Sequence, residues 1–195
     1  MSAKYELLVD DTIKIVGETL FRIKSLVDFE RKTGEIINKG DLGGYISKES
    51  NLSQSGNAWV SGDAMVRGDA LVTGDALVTG AAEVSGSVRI SGDVEISGDA
   101  KIIGDVEISG FAKISGDSVV SNQSDFIVFK HWFEDIYFTY TKSNKMWSVD
   151  VYYDSGWMVV EYLEKIERDE EFSDYFAAYV ELVEKMEELN KEYSN

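Results

Sequence analysis

Gly56-Asn-Ala-Trp-Val-Ser-Gly62-Asp-Ala-Met-Val-Arg-Gly68-Asp-Ala-Leu-Val-Thr-Gly74 opens a run in which glycine returns every six residues, through Gly80, Gly86, Gly92, Gly98, Gly104 and Gly110 to Gly116. A period this strict outranks local propensity, because it dictates the architecture of the whole stretch. Two more positions in each unit are apolar. One is a branched aliphatic, from Val60 and Val66 to Ile114 and Val120; the other is small, from Ala58 and Ala64 to Ala112 and Ser118. A six-residue unit cannot bury its apolar side alone, whereas stacked units can. The stretch therefore predicts a parallel β-helix. The Gly-Asp pairs fall at its corners, where glycine supplies a strained backbone and Asp or Asn tolerates one. Asp63, Asp69, Asp75, Asp93, Asp99, Asp105 and Asp117 read first as turn residues. Stacked aspartates also admit calcium, but the glycine-rich nonapeptide of calcium-binding solenoids is absent, and no metal is expected.

The outward strand position changes character along the run. It reads Trp59, Met65, Leu71, Leu77, then Glu83, Arg89, Glu95, Lys101, Glu107, Lys113. An apolar cluster on the outside needs a cover. For Trp59, Met65, Leu71 and Leu77 that cover is either another part of the chain or a subunit or partner. The charged positions that follow read as a solvated face available for binding.

Upstream, residues 5–30 alternate as strands, with Gly17-Glu18 as a turn, and read as a hairpin cap over the open end of the solenoid. Downstream the six-residue beat stops after Asp125. Phe126-Ile-Val-Phe, Ile136-Tyr-Phe-Thr-Tyr and Met146-Trp-Ser-Val-Asp-Val-Tyr-Tyr read as strands, with a turn at Ser143-Asn144. Two helices are expected after them, Gly156–Arg168 and Glu170–Tyr193. The second has an apolar face and an acidic one that carries Glu170, Asp174, Glu181, Glu184 and Glu188. Three segments result: a β cap (1–45), the repeat (46–126) and a C-terminal α+β segment (127–195).

A branched aliphatic followed four residues later by a small residue resembles the hexapeptide repeat of left-handed parallel β-helices. Lys39-Gly-Asp-Leu-Gly-Gly-Tyr-Ile, Asn51-Leu-Ser and Gly56-Asn-Ala-Trp-Val also resemble the leading segment of a family of hexapeptide-repeat proteins found in phages and bacteria, often labelled acyltransferases from fold alone. The likeness spans residues 20–126. It implies three hexapeptides per triangular coil, and so about four coils stacked at about 4.8 Å. The expected fold is mainly β: a left-handed parallel β-helix with an N-terminal β cap and a C-terminal β-hairpin plus two helices.

The 195 residues carry 36 acidic and 19 basic side chains, for a net charge of −17, spread over both halves of the chain. Such a surface repels nucleic acid and anionic lipid and attracts basic protein surfaces. The chain has no cysteine, which fits a reducing cytoplasm and leaves no thiol nucleophile or cysteine metal site. No apolar run is long enough to span a membrane, and Met1-Ser-Ala-Lys-Tyr-Glu lacks a signal-peptide core.

The acyltransferases of the resembling fold need a histidine base near a CoA cleft between subunits. Here the sole histidine, His131, lies outside the repeat, beside Trp132 and Phe133, and the repeat has no loop insertion. Neither a catalytic triad nor a phosphate-cradling motif is present, so no catalytic or cofactor-binding residue is expected. Three functions remain. The first is a non-catalytic acidic module that binds a basic protein surface. Its most concrete form is a phage-encoded, anti-CRISPR-like inhibitor of a bacterial defence nuclease, acting in the host cytoplasm by nucleic-acid mimicry or by blocking a basic surface, through the charged later coils and Glu170, Asp174, Glu181, Glu184 and Glu188. The second is an oligomeric assembly protein using the apolar positions. The third is a CoA-dependent acyltransferase.

Overall fold

A computed structural model describes residues 3–130, 136–151, 177–178, 180–186 and 188. The chain forms two compact units, 1–156 and 157–195. In the first, eleven two-residue strands from Trp59–Val60 to Val119–Val120 build a parallel β-solenoid of about four turns. Each strand pairs with the one eighteen residues on, as in Met65↔Glu83 and Glu83↔Lys101. Three ladders follow from that step. One runs Met65, Glu83, Lys101, Val119, the second Leu71, Arg89, Glu107, and the third Trp59, Leu77, Glu95, Lys113. Inside, the aliphatic column from Val60 to Val120 and the small column from Ala58 to Ala112 are buried throughout. The sequence pattern thus becomes a parallel β-helix whose core is filled by two side chains per repeat.

Several of the corner glycines leave no room for a side chain. Gly74 has φ +72°, and a Cβ added there would lie 2.6 Å from the nitrogen of Gly92 one coil further on. Glycine is required both by the left-handed backbone and by this close approach.

Five strands precede the rungs: β1 (Tyr5–Ile15), β2 (Glu18–Ser25), β3 (Phe29–Glu30), β4 (Ile36–Ile37) and β5 (Leu42–Ile46). The expected hairpin is β1–β2, with positive φ at Val16 and Gly17, so the turn lies one residue earlier than Gly17-Glu18. β5 is antiparallel to β2 and parallel to the Met65 rung, so the cap continues one ladder into a seven-stranded sheet. A single strand, β5, forms the bridge between them.

Phe126–Lys130, Ile136–Thr141 and Met146–Val151 form a three-stranded antiparallel sheet. It falls in the first of the two compact units, with the solenoid. The helix expected at Gly156–Arg168 lies outside the described residues. Within the second expected helix, 177–178, 180–186 and 188 are helical.

Both ends of the solenoid are closed by polar side chains matched to its backbone polarity. Each coil donates its N–H groups to the carbonyls of the next, as in Trp59 N to Ala76 O at 2.9 Å. The first coil is therefore left with free carbonyls and the last with free N–H groups. Lys4 Nζ donates to Gly56 O (3.2 Å) and Ala58 O (2.9 Å) at the first. At the last, one oxygen serves each ladder: Gln123 Oε1 accepts from Glu107 N (3.2 Å), Thr139 Oγ1 from Lys113 N (2.9 Å) and Ser143 Oγ from Val119 N (2.7 Å).

Candidate protein-binding surface

The step of eighteen residues decides what is neighbour to what on the outside. Glu83 stacks against Lys101, Arg89 against Glu107 and Glu95 against Lys113. Lys113 Nζ lies 3.0 Å from Glu95, and Lys101 Nζ 3.9 Å from Glu83. The charged strand positions are therefore neutralised within each ladder. Sequence alone presents them as one acidic and basic row; the winding turns that row into three balanced pairs.

The excess negative charge sits at the corners instead. By the same step Asp99 stacks with Asp117 and Asp75 with Asp93, whereas Ala81 stands between Asp63 and Asp99 and Ser87 between Asp69 and Asp105. Asp63, Asp69, Asp99, Asp105 and Asp117 are exposed. Lys48 Nζ meets Asp69 at 2.6 Å and holds its carboxyl below the usual range through that hydrogen bond. Arg22 lies 3.9 Å from Asp63, and Asn144 Nδ2 donates to Asp117 at 3.2 Å. No ion pair among the described residues reaches Asp99 or Asp105.

The third corner is occupied from within the chain. Lys32 Nζ sits between Asp75 Oδ2 (3.1 Å) and Asp93 Oδ2 (2.9 Å), and these two hydrogen bonds raise its pKa. Sequence reading missed this use of Lys32, as well as the buried Lys4, Arg31 and Asn51. The only signal available was the eighteen-residue spacing of Asp75 and Asp93.

The four apolar outward positions do not share a face. Trp59 and Leu77 are neighbours on one ladder; Met65 and Leu71 lie on the other two. Trp59 is 1% exposed, covered edge-on by Phe29 (5.6 Å between ring centroids) and Tyr5 (6.5 Å). Its cover is internal. Met65, Leu71 and Leu77 are half-buried.

Of the acidic helix positions, Glu181, Glu184 and Glu188 are exposed, and their spacing puts them on one helical face. Lys185 Nζ lies 3.3 Å from Glu188. Glu170, Asp174 and His131 lie outside the described residues. No group of three or more His, Cys, Asp or Glu among the described residues is placed to hold a metal ion. An open cavity of about 830 Å3 is lined by Tyr5, Leu7, Leu26, Glu49 and Gln54 among others. Its hydroxyl is engaged, with Tyr5 Oη at 2.8 Å from Glu49 O and 2.7 Å from Leu52 O, and burial raises its pKa. No described helix is long and apolar enough to cross a membrane.

No protein-family model matches this chain, and no curated protein is similar to it at a significant level.

Proposed function

We propose that this chain is a non-catalytic, acidic protein-binding module that offers exposed corner aspartates, on a stiff β-helix, to a basic protein surface. The observation that carries the reading is the separation of charge: the ladders balance themselves, while Asp99 and Asp105 project from the corners with no basic neighbour among the described residues. Turn chemistry needs only a short polar side chain at these positions, and asparagine serves at Asn57. Aspartate adds a charge that the turn does not need. Carboxylates repeated along a rigid rod imitate the phosphates of a nucleic acid, to which basic enzymes bind chiefly by charge. The target is then a nucleic-acid-handling protein. Its most concrete form is a bacterial defence nuclease, with this chain as a phage-type inhibitor of the hexapeptide-repeat kind, working in the cytoplasm.

The experiment is competition. The protein is titrated into a purified basic defence nuclease bound to its labelled nucleic acid, at increasing salt. Displacement of the nucleic acid, weakening steeply as salt rises, supports the reading. Failure to bind at low salt, or binding that salt leaves unchanged, contradicts it.

A further inference from the structure

The β3–β4 hairpin lies across the Asp75–Asp93 corner, and its own strands are two residues long, too short to persist unsupported. Among the described residues it is held by the buried Ile37, by Phe29, edge-on to Trp59 and with Lys4 Nζ 5.7 Å from its ring, and by Lys32, which bridges the two aspartates; Arg31 Nη2 also donates to Asp75 O at 3.1 Å. Lys32 is 48% exposed, so its ion pairs are open to screening by salt. Arg31 is the opposite case. It is 5% exposed, its Nη1 reaches Glu35 only at 3.4 Å, and its Nε has no partner. Asp93 Oδ1 is likewise buried and unpartnered. Burial lowers the Arg31 pKa against the pull of Glu35, Glu95, Asp75 and Asp93. A buried guanidinium with an idle N–H works against the closed state, because both are better solvated when the hairpin lifts.

We propose that residues 28–38 form a releasable strap, latched by Lys32 between Asp75 and Asp93 and loaded toward release by Arg31. Opening uncovers the side of the Trp59 ring that Phe29 covers, together with two stacked carboxylates. The strap then regulates how much acidic and aromatic surface the solenoid shows. That this surface is used for binding rests on the function proposed above; the opening itself does not.

Hydrogen exchange read by mass spectrometry on the full chain tests the strap. Amides in 28–38 exchange at least about threefold faster at about 500 mM salt than at about 20 mM, while amides in 82–102 do not change. Lys32→Gln exchanges fast in 28–38 at both salt levels and loses the salt response. Arg31→Met slows exchange there, because it removes a buried guanidinium whose Nε has no partner; a merely structural arginine would give the reverse. Salt-independent exchange of 28–38 in the unaltered protein, or faster exchange in Arg31→Met, overturns the proposal. Protection in 82–102 reports whether each variant is folded. If Lys32→Gln is not, the salt series and Arg31→Met decide.

Discussion

Asn51 and Asp125 close two matching turns, Ser47-Lys-Glu-Ser-Asn51 and Ser121-Asn-Gln-Ser-Asp125, where the chain enters and leaves the solenoid. Both accept hydrogen bonds from the start of their own turn: Asn51 Oδ1 from Ser47 N and Lys48 N, Asp125 Oδ2 from Ser121 N and Asn122 N. They differ in what lies beyond. Asn51 is fully buried and must donate to the next coil, which its Nδ2 does at Gly68 O (3.1 Å) and Ala70 O (2.7 Å). Asp125 has no following coil and needs only to accept. Burial opposes its charge, but the N–H groups of Ser121 and Asn122 prevail and lower its pKa. Asn51→Asp is thus expected to destabilise the fold by about 2–4 kcal/mol, since it buries a charge and strips two carbonyls of their donor. Asp125→Asn is expected to cost under about 1 kcal/mol. Urea denaturation of both variants checks the asymmetry. Lys4 gives a second residue-scale prediction. Burial lowers its pKa to about 8, with Asp75 pulling the other way. Between pH of about 8 and about 10 the unfolded chain holds more protons than the folded one, so stability rises with pH. Above about 10 the order reverses, because burial raises the Tyr5 pKa and the unfolded tyrosine ionises first. The thermal midpoint should climb through that window and then fall, and Lys4→Met should remove the climb.

At the scale of elements, the three-stranded sheet acts as a lid whose side chains finish the last coil. Thr139 is buried, and its Oγ1 is the partner of Lys113 N. Thr139→Val keeps the shape and idles that N–H, at an expected cost of about 1–2 kcal/mol, with faster hydrogen exchange at Lys113 as the local readout. This lid marks where sequence reading stopped. The glycine beat and the two apolar columns announced the rungs because they repeat, and a repeated unit states its environment many times over. The strands around Phe126, Ile136 and Met146 were legible as strands from their β-branched and aromatic residues. Their place over the last coil was not, since it depends on single contacts such as Thr139 to Lys113 that no pattern repeats. The apolar outward residues misled for a related reason. Trp59, Met65, Leu71 and Leu77 look like one patch when read in line, but winding sends neighbours in the repeat to different ladders. Only pairs eighteen residues apart meet, and Lys32, which joins Asp75 to Asp93, comes from outside the repeat altogether.

For the first unit as a whole, winding separates structure from charge. The ladders bring opposite charges together, the core takes the aliphatic residues, and the corners carry aspartates that the turns themselves do not require. A scaffold built this way can lose its corner charge and keep its fold, because asparagine suits the same backbone. The most direct measurement is therefore binding of a purified basic defence nuclease to a variant with Asp63, Asp69, Asp99, Asp105 and Asp117 all changed to Asn, with circular dichroism and thermal midpoint followed in parallel. Near-native melting with affinity reduced by about tenfold or more is the result this account predicts. Unchanged affinity in the folded variant, with binding lost instead when Glu181, Glu184 and Glu188 are reversed in sign, would contradict it.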